Sequence, residues 1–177
     1  MDRENVLTTL SDVVIELATD RFCIRTLVPE DVGNTYASWF TDRTVHEFIT
    51  WRPSRDAVAE LSQYVAVHYA RDDSLLLGVF EPSAGHVANI KYEPVDLARQ
   101  TAVLGILVGD PAWRSQGLFR EVFLASSSWL KDAAGIRRIE LGVDQSNVAA
   151  IAAYQRAGFR SEGLGKNLSS RRMVADI

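Results

Sequence analysis

The chain has 177 residues, enough for one domain with a sizeable core, and its 47% hydrophobic and 24% charged residues are the composition of a globular protein. A net charge of −4 provides no basic excess and argues against a nucleic-acid partner. Cys23 is the single cysteine, which excludes an internal disulfide framework and argues against a Cys-ligated metal, and no stretch is apolar for long enough to cross a membrane, so neither a metal nor a membrane partner is expected.

The opening MDRENVLTTLSDVV lacks the basic start and apolar core of a signal peptide, so a cytoplasmic location is expected. Residues 1–12 read as a flexible leader or a short first helix of a single domain spanning 1–177. Residues 13–17 and 21–27 are extended runs; in the second, Phe22, Ile24 and Thr26 fall on one face and Cys23, Arg25 and Leu27 on the other. Cys23 reads as a buried structural thiol. Glu30 and Asp31 favour a helix start, and Tyr36, Trp39 and Phe40 supply that helix with an apolar side. A short turn or helix at 45–49 leads to Trp51, Arg52 and Pro53. Ser54 is placed to cap a helix running to about Ala70, with Val58, Leu61, Val65 and His68 or Tyr69 at helical spacing. Residues 74–80 and 86–92 predict an antiparallel hairpin around Pro82, Ser83, Ala84 and Gly85. Glu93, Pro94, Val95 and Asp96 then leave the sheet, and 99–108 return as its central strand.

Gly109, Asp110 and Pro111 end that strand. Arg114, Ser115, Gln116 and Gly117 follow, and from Gly117 to Lys131 the spacing is helical, with Leu118, Val122, Ala125 and Trp129 on one face. A loop feeding a helix start offers unpaired N–H groups and the positive end of a dipole, which suits an anion, usually phosphate. Gly117 permits close approach of a ligand to the backbone, and Arg114 adds a cation. A strand at 137–143 precedes Asn147, Ala150, Tyr154, Gly158 and Phe159, arranged N-x-x-A-x-x-x-Y-x-x-x-G-F. Ala150 and Tyr154 share a helix face, Asn147 caps that helix and Gly158 stops it. Residues 159–163 and 170–176 predict a final hairpin. The order of elements indicates an α/β sandwich with a mixed sheet.

The R-x-x-G turn, one intervening strand and the helix tyrosine together resemble the GNAT superfamily of acyl-CoA N-acyltransferases. The stretch from Thr19 to Arg25 with Pro29, Glu30 and Asp31 is similar to the opening strand of the branch related to ribosomal-protein N-terminal acetyltransferases. The runs Asn89 to Tyr92 and Leu104 to Asp110 are similar to bacterial acetyltransferases of amino sugars on nucleotide carriers. The resemblance implies a mixed, mostly antiparallel twisted sheet flanked by helices, and direct transfer from an acyl-CoA, acetyl-CoA first, to a primary amine in a ternary complex. It implies cofactor contacts at Leu107, Val108, Arg114, Ser115, Gln116, Gly117, Leu118, Phe119 and Asn147. The strand at 104–108 would splay from the strand at 137–143 and present a free N–H near Leu107 or Val108 to a developing oxyanion. Tyr154 would protonate the leaving thiolate.

Three departures bear on these roles. Relatives carry a glutamate in an A-E-L-G-like run where this chain has Val103, so the base falls to Glu93, Asp96, Asp110 or Asp144, with Glu93 preferred. Ser115 replaces a glycine. Phe119 replaces a glycine or alanine, and either pairs with Phe123 in the core or crowds the pyrophosphate. His46, Trp51 and Arg52 are the candidate substrate contacts. An amino sugar is the first acceptor expected; a protein N-terminus is the alternative, and a non-catalytic binding module is the reading from another class. A homodimer is implied by resemblance only.

Overall fold

The computed structural model describes residues 7–49, 54, 56–165 and 169–177 (for 46–48, the backbone alone). Among these residues eight strands form one sheet in the order β1-β2-β3-β4-β5-β6-β8-β7. They are β1 (Glu16–Ala18), β2 (Cys23–Thr26), β3 (Leu75–Glu81), β4 (Gly85–Asp96), β5 (Thr101–Val108), β6 (Arg138–Asp144), β7 (Arg160–Leu164) and β8 (Ser170–Asp176). Every neighbouring pair is antiparallel except β5 and β6. Parallel neighbours require a crossover, and α4 (Leu118–Ala134) provides it. Helices α1 (Asn34–Ser38), α2 (Arg43–Phe48) and α3 (Ala57–Tyr69) lie between β2 and β3, and α5 (Val148–Arg156) lies between β6 and β7.

Strand alternation divides the core into two clusters. Ile90, Tyr92, Ala102 and Leu104 pack with Leu118, Val122, Phe123 and Leu130 of α4. Leu27 and Leu76 pack with Tyr36, Trp39, Phe40, Leu61 and Val65 on the other side. Tyr92 is fully buried and its hydroxyl meets Ser126 Oγ at 2.8 Å, while Ser126 donates to the Val122 carbonyl at 2.7 Å. These bonds spare two buried hydroxyls an unpaired-group cost of about 1–3 kcal/mol each.

Several sequence expectations change on folding. Residues 7–12 are no free leader: Leu7 N–H donates to Ala133 and Leu10 N–H to Asp72, and Leu10 is 2% exposed in the core. The cap of α3 is Asp56, which accepts from Ala59 N–H at 3.0 Å, while Ser54 N–H bonds to Glu60. Asp42 caps α2 through Thr44 N–H, so that helix starts at Arg43. Residues 93–96 do not leave the sheet; β4 runs on to Asp96 past an irregularity between Tyr92 and Val95. On α4 the buried face centres on Phe119, Val122, Phe123 and Leu130, with Ala125 and Trp129 half-buried at its edge. The reason is that Phe119 and Phe123 carry more apolar area than Ala125 and rotate the stripe toward themselves.

The register of β5 positions the site. It pairs with β4 along its length but with β6 only at Thr101, Ala102 and Val103. β6 instead follows β8 from Arg138 to Asp144. Beyond Val103 the two parallel strands therefore part.

Candidate active site

Strand alternation decides which backbone groups face the gap. Gly109 N–H bonds to the Val87 carbonyl at 3.0 Å, so Leu107 and Gly105, two and four residues back, turn their N–H groups into the β4 ladder. Ile106 and Val108 turn theirs to the open side. Of the two residues expected to offer a free N–H, Val108 does so. Leu107 instead directs its side chain into a chamber on the sheet's other face.

Past Val108, Asp110 accepts from Ala112 N–H at 2.9 Å and starts a 3-10 turn, Pro111–Trp113. Ser115 (φ 59°) and Gly117 (φ 77°) both take the left-handed conformation and are exposed. Glycine reaches it without strain; for Ser115 it is an uncommon state, held by the tight turn. No side chain caps the α4 N-terminus at Gly117. Ser115, Gln116, Gly117 and Leu118 thus form an exposed bend entering a helix whose first N–H groups no side chain covers. Phe119 is 8% exposed: it stacks on Phe123 at 5.6 Å and meets Tyr154 edge-on at 4.9 Å. Its ring belongs to the core.

The two cations at this turn have different partners. Arg114 donates to Asp42 (2.8 Å), to Thr44 Oγ1 (2.6 Å) and to the carbonyls of Val108 (3.2 Å) and Gly109 (3.0 Å). Its charge is thereby matched by a carboxylate. The Thr44 N–H and hydroxyl, then Arg114, hold the Asp42 carboxyl down to about 2. Trp39 lies flat on the same loop, since a Cβ on Gly109 would meet its ring atoms at 1.8 to 2.3 Å. Arg21, to which the sequence attached no role, is the other cation. Its Nη1 donates to the Gln116 carbonyl at 3.0 Å, its Nε to Glu121 at 2.8 Å, and its Nη2 approaches Gly117. Burial pushes the Glu121 carboxyl up, but bonds from Thr19 and Arg21 outweigh it and hold it below the ordinary value. The available sequence signal was Glu121 in the first turn of α4, a carboxylate needing a partner from another element.

Tyr154 sits on α5, which Asn147 caps by accepting from Ala150 N–H at 3.1 Å. Phe119 and Phe159 flank its ring. Burial pushes its hydroxyl up to about 12.

On the face toward α1–α3 lies a chamber of about 260 Å³, near the small end of ligand sites. Tyr36, Phe40, Ile49, Leu61, Tyr64 and Leu76 make its walls, and Asn89, Lys91, Gly105, Ile106 and Leu107 its floor. Among these lining residues Lys91 carries the one ionised side chain. Lys91 Nζ bonds to Glu93 at 2.6 Å; burial opposes its charge, and Glu93 with Tyr64 more than restores it. Glu93 is not part of the lining. It is shared between Lys91 and Arg71 (2.7 Å) and lies 3.7 Å from His68. Partial burial raises its carboxyl, and Lys91 above all brings it back below the usual value. The other acidic candidates also have local duties: Asp96 accepts from Arg99, Asp110 from Ala112 N–H, and Asp144 from Ser146. His46 lies on α2, its backbone alone described, and Trp51 and Arg52 fall outside the described residues.

Known proteins share this fold. Residues 21–160 match the family described as Acetyltransferase (GNAT) domain. A mycothiol acetyltransferase of Salinispora arenicola is 34% identical over 79 residues, 43% of this chain and 26% of that protein. The L-amino acid N-acetyltransferase AaaT of Escherichia coli K12 is 38% identical over 74 residues, 40% of this chain and 43% of that protein. Each match thus spans less than half of the relative. The solved spermidine N-acetyltransferase of Vibrio cholerae, in complex with CoA and spermine, superposes with a TM-score of 0.76 at 16% identity, over 88% of this chain and 95% of that one.

Proposed function

The chain belongs to the GNAT acetyltransferase family, and we propose that it transfers an acyl group, acetyl first, from CoA to the nitrogen of a primary amine in a ternary complex. One observation carries this reading: the β5 edge is open from Leu104 to Val108 and ends in the exposed, uncapped turn at the start of α4. When bound, CoA supplies a thioester: the amine nitrogen bonds to the acyl carbon, the C–S bond breaks with its electron pair on sulfur, the amine loses a proton and the sulfur gains one.

The chain's residues divide the work. The N–H groups of the 115–119 turn hold the pyrophosphate, with Arg21 as the nearby cation, and Asn147 borders the cleft. Phe119 leaves this turn clear because its ring is in the core, which removes the reason for reading the chain as a non-catalytic module. The N–H of Val108, and that of Ile106, faces the developing oxyanion; one such donor is worth about 3 kcal/mol. Tyr154 donates a hydrogen bond to the sulfur as the C–S bond breaks, and water supplies the proton. Glu93, paired with Lys91 and Arg71, is a weak base and serves to fix Lys91; the amine's proton passes to water at the cleft mouth. The amino-sugar acceptor has little support in the chamber, whose walls offer few partners for sugar hydroxyls.

Calorimetry with acetyl-CoA, followed by thiol release with amines, tests the reading. Ligand at 100 times its Kd adds about 2.7 kcal/mol of stability, so a raised melting midpoint is expected. No shift at millimolar acetyl-CoA overturns it.

A further inference from the structure

Resting on the acyl-transfer reading above, we infer that the acceptor is an apolar α-amino acid, its side chain in the chamber and its carboxylate on Asn89 and Lys91. The chamber floor is two cross-strand rows. Leu76 pairs with Lys91 and Lys91 with Gly105; Gly78 pairs with Asn89 and Asn89 with Leu107. Asn89 and Lys91 therefore stand directly beside the stretch of β5 whose N–H groups face the reacting carbonyl. Directly opposed residues place their Cβ atoms about 4.5–5.5 Å apart. In the proposed pose a carboxylate held there directs its α-amine, two bonds away, toward β5. The rest of the molecule then faces Tyr36, Phe40, Leu61 and Leu76.

Two observations ask for an oxygen at this floor. Asn89 is 5% exposed; its Oδ1 is engaged by His86 Nε2 at 2.7 Å, and its Nδ2 makes no hydrogen bond of good geometry, with the Tyr36 hydroxyl beside the amide as its one weak partner among the described residues. His86 is boxed by Tyr36, Trp39 and Phe80, so it stays put and leaves the amide N–H₂ as the group for a ligand. A buried donor without an acceptor is unfavourable until one arrives. Lys91 is the second: Glu93 and Tyr64 engage two of its three donors and leave one for a ligand. A carboxylate satisfies both groups. A polyamine would bring a second ammonium beside Lys91 with no carboxylate in the lining, and burying an unpaired cation is strongly unfavourable.

The test is thiol release from acetyl-CoA with L-leucine, L-phenylalanine, L-leucinamide, isoamylamine, glucosamine and spermidine. Leucine or phenylalanine is expected to exceed each of the other four in kcat/KM by about tenfold or more, the size of one charge-assisted bond. Lys91→Met is expected to lower the ratio of leucine to isoamylamine kcat/KM by about tenfold. Acetyl-CoA binding by calorimetry is read alongside. If acetyl-CoA does not bind, the acyl-transfer reading fails and this inference with it. If it binds and spermidine, glucosamine or isoamylamine matches or exceeds both amino acids, or no acceptor turns over, this inference alone is overturned.

Discussion

Removing the Tyr154 hydroxyl tests both its role and the way burial shapes it. Burial holds this hydroxyl up to about 12. An ordinary thiol titrates near 8.5, so full proton transfer from Tyr154 to a thiolate is uphill by roughly 3.5 units, or about 5 kcal/mol at about 1.36 kcal/mol per unit. On the proposed mechanism the hydroxyl is therefore a hydrogen-bond donor to sulfur as negative charge gathers there, with water delivering the proton. A bond to a charged group is worth about 1.5–3 kcal/mol, so Tyr154→Phe is expected to lower kcat by roughly 10- to 150-fold. The ring contacts with Phe119 and Phe159 persist in that variant, so acetyl-CoA affinity is expected to stay within about twofold. The assay is thiol release from pH 6.5 to 10.5 with acetyl-CoA saturating. Wild-type kcat is expected to show no falling limb below about pH 10. A limb near 8.5 to 9.5 that vanishes in Tyr154→Phe would refute the burial argument, and an unchanged kcat would refute the role itself.

The two arginines at the turn predict opposite patterns. Arg21→Met is expected to weaken acetyl-CoA binding by about tenfold or more by calorimetry, because Arg21 reaches the Gln116 carbonyl and Gly117 of the turn, whereas Arg114→Met, whose guanidinium is turned to Asp42 and Thr44, is expected to weaken it less and to raise the acceptor KM more. Equal effects of the two on acetyl-CoA would contradict the assignment. Gly109→Ala drives a methyl into the Trp39 ring, and overpacking of about 1–3 kcal/mol lowers the melting midpoint by roughly 2–12 °C in a chain of this size; an unshifted midpoint would mean that Trp39 yields freely. Tyr36, Tyr92 and Tyr154 all have hydroxyls raised by burial. The unfolded chain releases these protons near pH 10 and the folded one higher, so the stability they contribute is fully present below about pH 10 and is lost as pH rises beyond it. The melting midpoint should fall steeply between pH 10 and 12, and a flat profile there would count against buried hydroxyls.

The parts of the fold legible in the sequence were those with strong local periodicity. The alternation of Phe22, Ile24 and Thr26 against Cys23 and Arg25 appears in the burial of β2, and Asn147 caps α5 where a cap was expected. What could not be read locally is what depends on a distant partner. Ser54 and Asp56 are both fair caps; Asp56 takes the role while Ser54 N–H is drawn to Glu60. Glu93 and Pro94 signal a strand end, yet Val95 and Asp96 stay paired to Ala102 and Thr101 because β5 extends alongside. The chamber was invisible for the same reason: Asn89, Lys91 and Leu107 sit on one face only through the β4–β5 register.

The cofactor turn shows most clearly how partner choice, rather than sequence proximity, sets a residue's work. Arg114 is inside the motif and Arg21 lies far from it; each is ion-paired, Arg114 to Asp42 and Arg21 to Glu121, and it is Arg21 that reaches the exposed turn at the Gln116 carbonyl. Arg114 meets Asp42, and with that bond it joins the end of β5 to the cap of α2. Trp39 against Gly109 adds an apolar contact across the same junction. The loop that leaves β5 and the segment that walls the chamber are thus fastened by the Arg114–Asp42 ion pair, the Arg114–Thr44 hydrogen bond and the contact of Trp39 with Gly109. Arg114 also holds the carbonyl of Val108, the residue proposed to offer its N–H to the reacting carbonyl. On the proposed function, acceptor seating and oxyanion alignment would be joined through Arg114. That is why Arg114→Met should appear in the acceptor KM before it appears in acetyl-CoA affinity.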